Sequence, residues 1–523
     1  MVVVARPGAL MSVRGSVVGD VVAGSLQLLA AAGPWRPSTW AIARRDGLSF
    51  GALAALAARR SPDATAIVDD DGELSCAALD RFGDDVAAIV VGRAERVAVL
   101  GRNGRCLAAA VVGATRSGAD LVLLNADLTP GAVAEVLRAE RVDLLLVDGD
   151  DLPLPSTDVP IVDLRAVPRA VGPRPARRRT GRIVVLTSGS TGTPKGAHLA
   201  TTRTVQAVPI TTLVHRVPWR SASSLVITCP LFHGFGLGFL AMGLAFGLPV
   251  VLTRRLDAEA TAERLRRSPG AVVVGVPPVL ARIARAGSGA RPAAVLSGAG
   301  LLHPRVSRLL VDAFGPVLVN LYGSSEEGWS CLATPDDLVA APGTIGRPAA
   351  GVRIEVLGDD GRPVPDGVTG HLCVGSRLAF AHYTDGSGRG TLGGLADSGD
   401  LAHRDALGLL HVDGRTDDMV VTGGENVLVP AVEDALLSHP RVAEARVDVL
   451  PDDEYGVRLE AVVVPRDAGD LLDGAEAFAD DVDAWAREHL ARFERPRAVH
   501  VAASLELTSI GKQPRVRPRP DRG

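Results

Sequence analysis

The chain has 523 residues, too many for one ordinary domain and about three or four units by length alone. Hydrophobic residues make up 47% and charged residues 22%, which excludes a mostly disordered chain. A net charge of −4 gives no global reason to expect nucleic acid as a partner, and 3% aromatic residues argue against stacking platforms for single strands.

From the N-terminus, "GSVVGDVVAGSLQLLAAAG" (Gly15 to Gly33) is apolar but interrupted by Asp20 and several glycines. That is too polar for a membrane span and lacks a signal-peptide pattern, so no integral membrane association is expected. Two readings fit it, a helix packed on the protein body and a peripheral amphipathic helix. Residues 40 to 150 alternate Ala/Leu-rich helical stretches with short strand-like runs such as "RVAVL" (Arg96 to Leu100) and "VDLLLVDG" (Val142 to Gly149), an α/β signature. The five cysteines lie far apart with no C-x-x-C, so neither zinc nor a disulfide framework is implied and a reducing cytoplasm is expected.

A Pro-rich basic linker, "GPRPARRRTGR" (Gly172 to Arg182), leads into "RIVVLT" (Arg182 to Thr187), a β-branched run. Then comes "TSGSTGTPKG" (Thr187 to Gly196). Glycines that let N–H groups converge, hydroxyl donors and one lysine form a phosphate cradle; a flexible Gly/Ser surface loop is the alternative. It is not a P-loop, because Pro194 precedes Lys195 and Gly196 follows it. Five more strand-like runs follow: "SLVITCP", "LPVVLT", "AVVVGVPP", "AAVLSGAG" and "PVLVNLYG". Each ends in or near Gly, Pro or Thr, and ligands of open α/β sheets lie beyond such strand ends. After residue 340 the pattern changes to short strands with Asp-Gly turns, as in Gly351 to Ser376. Gly414 to Pro440 reads as a linker, a small loop and a helix, and the rest as a small α+β domain with a mobile Pro/Arg-rich tail, Arg515 to Gly523.

Seven stretches taken together, "TSGSTGTPKG", "PLFHGFGL", "LSGAGLL", "NLYGSSEEG", "SGD", "GRTDDMVVTGGENV" and "GKQPR", resemble the adenylate-forming superfamily of acyl-CoA synthetases, luciferases and peptide-synthetase adenylation domains. The resemblance covers residues 45 to 515. It implies an α/β fold with a large N-terminal domain of stacked β-sheets and helices, residues 1–413. A hinge at 414–417 and a small mobile α+β lid, residues 418–523, would follow. It also implies a chemistry: a carboxylate attacks the α-phosphate of ATP and expels pyrophosphate, so the site must neutralise charge.

By the same resemblance Thr187, Ser188, Gly189, Ser190, Thr191, Gly192 and Lys195 would handle the β- and γ-phosphates. Gly298, Ala299 and Gly300 would wall the adenine, opposite Tyr322, with Asn320 reading its edge and Gly323, Ser324 and Ser325 completing the motif. Glu326 matches the Mg²⁺ ligand, a hard carboxylate for a hard cation, with Glu327 beside it. Asp400 would hold the ribose hydroxyls and Arg415 the ribose or phosphate. Lys512 would reach the α-phosphate and the acid's carboxylate during adenylation. Asp417 falls at the hinge, and Gly423 and Gly424 beside the tunnel for the CoA thiol. His371 stands where the family has Glu.

In amino-acid-activating relatives an Asp follows the Phe of "PLFHG"; here Phe232 is followed by His233, so no carboxylate awaits an α-amine. His233 resembles the pocket residue of acyl- and aryl-CoA synthetases. The expected substrate is an apolar, fairly bulky acid, whether fatty, alicyclic, aromatic or terpenoid. The expected activity is an ATP-, Mg²⁺- and CoA-dependent acid:CoA ligase. Two alternatives are an acyl-AMP ligase that loads carrier-protein phosphopantetheine and a non-catalytic acyl or nucleotide sensor. The absence of a large extra N-terminal segment favours CoA, and retention of Lys195, Glu326, Asp400, Arg415 and Lys512 argues against a sensor.

Overall fold

The computed structural model describes residues 7–32, 37–47, 49–149, 152, 154–170, 181–187, 195–199, 208–287, 289–324, 328–375, 390–422, 425–452, 455–467, 469–472 and 474–506. The Pro/Arg-rich tail, and all of the basic linker but Gly181 and Arg182, lie outside these residues.

Short Val/Leu/Ile runs buried on both faces build two largely parallel sheets, the pattern expected where both faces of a sheet are covered. Six strands form one sheet, in the spatial order Ile161–Asp163, Leu144–Val147, Arg96–Leu100, Asp120–Leu124, Ile183–Thr187 and Lys195–Leu199. Only its last pair is antiparallel. Nine strands form the other: Arg347–Pro348, Gly328–Ala333, Leu318–Ser324, Ala294–Gly298, Val272–Gly275, Leu225–Ile227, Val250–Leu252, Thr65–Asp69 and Gly72–Ser75. Its five central pairings are parallel and its edges antiparallel.

Helices Phe50–Arg60, Cys76–Val90, Arg105–Ser117 and Gly234–Phe246 join both sheets into one core that includes Leu79, Leu107, Leu121, Leu240 and Val250. Helices Ala258–Arg267, Pro277–Ala286 and Pro304–Phe314 cover the other face of the nine-stranded sheet. Their starts follow local chemistry. Ser75 and Asp257 accept the N–H groups of Ala78 and Ala260, and Pro277 and Pro304 open their helices. The apolar N-terminal stretch is a helix, Pro7–Ala32, packed on the body against Val208–Arg216, as the first of its two readings expected.

The change of pattern after residue 340 is a change of architecture. Arg353–Leu357, Gly370–Gly375, Leu395–Arg404, Thr391–Leu392 and Leu410–Arg415 form an antiparallel sheet. A hairpin, Met419–Thr422 with Glu425–Leu428, then precedes a three-stranded sheet flanked by helices Val429–Leu437 and Ala475–His489. This α+β unit has its own core around Leu436, Val447, Ala461, Phe478 and Val482. It meets the helices Pro277–Ala286 and Pro304–Phe314 along a polar seam. Glu444 lies 3.3 Å from Arg282 and 3.4 Å from Arg285. Arg305 donates to the carbonyl of His439 at 2.5 Å, and the His303 ring bonds to Asp434.

Candidate functional site

The loop of small residues after Thr187 connects two antiparallel strands, with Thr187 opposite Lys195 in register. A P-loop would lead into a helix; here a strand follows, which accounts for the different placing of the lysine. Ser188, Gly189, Ser190, Thr191 and Gly192 lie outside the described residues, and Thr187 and Lys195 are described by their backbone alone.

The strands Ala294–Gly298 and Leu318–Ser324 run parallel side by side, pairing Ser297 with Asn320 and Gly298 with Leu321. Both therefore end at the same side of the sheet and bring the two predicted adenine-site stretches together. Gly298 has to be glycine: a Cβ there would come within 2.6 Å of the Phe235 ring and 3.0 Å of the Leu321 carbonyl. The next residue, Ala299, has φ of 57°, in the left-handed region that residues with a Cβ rarely adopt. Gly323 is equally constrained, since a Cβ would fall 2.0 Å from the Gly328 carbonyl oxygen. The wall at Gly298–Gly300 is thus bare backbone held in a strained turn.

Asn320 is buried, and its side-chain N–H₂ donates to the Thr344 carbonyl at 2.9 Å. A carbonyl only accepts, so this bond fixes which way the amide faces. The Tyr322 hydroxyl donates to Oδ2 of Asp400. Arg415 Nη1 donates to Oδ1 of the same carboxylate at 3.2 Å. Asp400 and Arg415 are opposite each other across the strand pair Leu395–Arg404 and Leu410–Arg415. Three residues singled out separately in the sequence therefore form one bonded group that joins the nine-stranded sheet to the antiparallel sheet. The turn leading into Asp400 is pinned as well: Gly399 N–H donates to Asp397 at 2.8 Å and Asp400 N–H to Ser398 at 3.1 Å. His371 sits behind it, with Nδ1 3.3 Å from Asp397 and Nε2 3.0 Å from Asp359. The histidine that replaces the family's Glu thus keeps a charged partner on the Asp400 turn.

His233 is the N-cap residue of helix Gly234–Phe246 and is half-buried, its ring centroid 5.0 Å from that of Phe232. The turn before it is clamped from the other sheet by Asn103, which donates to the Cys229 carbonyl at 3.0 Å and accepts from Leu231 N–H at 2.8 Å. Behind His233 runs an aromatic file. Phe235 meets Phe239 edge-on at 5.1 Å, and Phe239 lies 5.8 Å from Trp329. A Cβ at Gly238 would rest in ordinary contact with the Trp329 ring at 3.5 Å, whereas one at Gly236 would fall 2.3 Å from the Pro230 carbonyl oxygen, so Gly236 lets the helix start close against the preceding turn. The sequence reading missed Asn103, Thr344, Phe235 and Trp329. A long-range clamp has no motif, but the aromatics carried a signal: Phe235 lies between the glycines of "PLFHGFGL" and Trp329 follows "YGSSEEG" directly.

Ser325, Glu326, Glu327, Gly423, Gly424 and Lys512 lie outside the described residues, and the side chain of Asp417, within the single helical turn Thr416–Asp418, is not described. Among the described residues no group of three or more His, Cys, Asp or Glu is arranged to hold a metal ion. Nor, among them, is any helix long and apolar enough to cross a membrane.

The AMP-binding enzyme family matches residues 55–384, and the AMP-binding enzyme C-terminal domain matches residues 431–512. The chain belongs to this family of adenylate-forming enzymes and, within it, to the AMP-forming acyl- and aryl-CoA ligases. It is 29% identical over 511 residues to a sulfoacetate–CoA ligase of Cupriavidus necator, covering 91% of this chain and 99% of the relative. It is 30% identical over 499 residues to an indoleacetate–CoA ligase of Aromatoleum aromaticum, covering 86% and 94%. Among solved structures, a benzoate CoA ligase from Burkholderia xenovorans shares the fold, with a TM-score of 0.73 and 24% identity over 89% of this chain and 98% of the other.

Proposed function

We propose that this acid:CoA ligase acts on an apolar carboxylic acid, joining it to AMP at the ends of the strands Ala294–Gly298 and Leu318–Ser324. The bonded group of Tyr322, Asp400 and Arg415 beside the bare backbone of Gly298–Gly300 carries the reading. In it, adenine lies between that backbone and Tyr322, the amide of Asn320 faces its edge, and Asp400 accepts from the ribose hydroxyls. Arg415 holds the Asp400 carboxylate turned to the ribose.

The acid's carboxylate oxygen attacks the α-phosphorus, the bond to the β-phosphate bridging oxygen breaks, and pyrophosphate leaves. Thr187 to Gly192 and Lys195 hold the departing phosphates, and Lys512 holds the α-phosphate and carboxylate. Glu326 is the proposed ligand of Mg²⁺, which supplies charge neutralisation there when bound. The CoA thiolate then attacks the acyl carbon and AMP leaves, with Gly423 and Gly424 beside the thiol's path. The lid, residues 418–523, would turn about Asp417 between the two steps, because Lys512 and the thiol loop serve the same site.

The apolar acid is supported by Phe235 and Trp329, partly buried aromatic rings that pack on the core residue Phe239 close in the chain to His233. The relatives act on acids as different as sulfoacetate and indoleacetate, so the acid has to be read from this chain's own walls. A reducing cytoplasm is the proposed compartment, supported by five buried cysteines that form no disulfide.

The test is pyrophosphate release across a panel of acids, with CoA added or withheld. Release with an aryl or alicyclic acid, followed by thioester only when CoA is present, is the expected result. Release that leads only to transfer onto a carrier protein would replace the acceptor. Release with no apolar acid at all would overturn the substrate class.

A further inference from the structure

The N-terminal helix Pro7–Ala32 precedes the matched family region, which begins at residue 55. One side of it is locked to the body. Asp20 is buried and bonds to Arg216 at 2.9 Å, and a Cβ at Gly24 would fall 2.2 Å from the Thr211 carbonyl oxygen. Leu28, another turn along, packs on the main core. A surface helix anchored in this way turns a polar face to water. This one does not: Val22, Leu26 and Leu29, at helical spacing on another side, are 53%, 62% and 47% exposed. The next helix, Pro37–Asp46, adds Trp40 at 62% exposure and, one turn on, exposed Arg44, while Arg45 beside it is paired with the buried carboxylate of Asp46 at 2.6 Å. The acidic side chains described between Gly19 and Gly47 are Asp20 and Asp46, and both are buried.

We propose that these two helices form a docking surface for an anionic lipid bilayer, on which the enzyme lies without crossing it. An aliphatic stripe enters the boundary between acyl chains and headgroups, tryptophan prefers that depth, and an exposed arginine, here Arg44, attracts anionic headgroups. The charge pattern selects this occupant over a second copy of the chain. A two-fold contact through the same surface would bring to it a second Arg44 and no exposed acid from these helices to meet the charge. A bilayer that carries negative charge offers both complements at once. The surface is independent of the proposed chemistry, and it would hold the enzyme where apolar acids concentrate.

The test is co-sedimentation of the full chain with vesicles of phosphatidylcholine alone and of phosphatidylcholine mixed with phosphatidylglycerol. The wild type should pellet with the mixed vesicles and much less with the neutral ones. Leu26→Glu should lower partitioning by about tenfold or more, since one exposed leucine is enough to supply that much on burial. Arg44→Gln should lower it about fivefold on mixed vesicles and hardly at all on neutral ones. Circular dichroism melts keep folding apart from binding, since both side chains are exposed. Wild type that stays in the supernatant, or Leu26→Glu that pellets as well as wild type, overturns the proposal. So does a wild-type dimer, by sedimentation equilibrium, that Leu26→Glu converts to monomer while vesicle binding is unchanged.

Discussion

The group at the strand ends and the seam to the C-terminal unit are both polar, and they are built in opposite ways. At the strand ends, position comes from backbone register. Gly298 faces Leu321 and Asp400 faces Arg415 because whole strands pair, and a shift of one residue would turn every side chain to the other face. At the seam, position comes from long side chains reaching across: Arg282 and Arg285 to Glu444, Arg305 to a carbonyl, His303 to Asp434. Burial lowers the Arg285 pKa by more than Glu444 raises it, so the ion pair does not fully offset the burial of the guanidinium. Register gives a fixed site, whereas side-chain reach gives a contact that can form and release, which is what the proposed turning of the lid requires.

The sharpest way to break the fixed site is Asp400→Asn. The proposed ribose contact and the bond to Arg415 both weaken, at about 2 kcal/mol, or roughly 30-fold in ATP affinity. Isothermal titration with ATP and with acyl-AMP analogues reads it, and unchanged affinity would remove Asp400 from the nucleotide site. Gly298→Val comes next. Its branched side chain would meet the Phe235 ring and the Leu321 carbonyl, so about 1.5 kcal/mol of stability should be lost together with ATP affinity. A urea unfolding curve identical to wild type would show that Phe235 gives way freely.

The seam should respond more weakly and in another manner. Glu444→Gln should change stability by less than about 1 kcal/mol, because its arginine partners are about one-third exposed. Its signature is instead a two- to fivefold shift in the ratio of adenylation to thioester rates (roughly 0.4–1 kcal/mol) that shrinks as salt is raised. Equal change in both steps, insensitive to salt, would deny the seam a part in lid movement.

The smallest effect is at His439, whose carbonyl accepts from Arg305. Burial lowers the pKa of its ring, Asp481 works the other way, and Arg441, Arg305 and His489 lower it further. A histidine with a depressed folded pKa contributes stability that is fully present above about pH 6.5 and lost as pH falls from there through the folded value. Thermal melts between pH 7.5 and 5 should therefore show a small acid-side loss that His439→Gln removes (pH limits about those of the histidine titration). A variant with the same acid slope would place the titrating group elsewhere.

The sequence by itself determined the strands and the order of the motifs. A run such as "LLLV" or "VVVG", short, apolar on both faces and bounded by Gly, Pro or Asp, reads as a buried strand between layers, and all eight singled-out runs form strands. Local chemistry also marked the break after residue 340, where Asp-Gly turns replace strand–helix alternation. Tertiary structure alone decided which motifs meet. Nothing local makes Tyr322 donate to Asp400, 78 residues on, and nothing in "RNGR" says that Asn103 clamps the turn before His233. The division of the strands between two sheets was not legible either, since strand order depends on where helices pack and not on any one segment. The exposed stripe on the N-terminal helix was hidden for the same reason. Val22, Leu26, Leu29 and Leu28 look alike as a sequence of apolar residues, and only the partner helix Val208–Arg216 and the core decide which side is covered. Periodicity reports that a residue can be buried; the rest of the molecule determines whether anything is there to bury it.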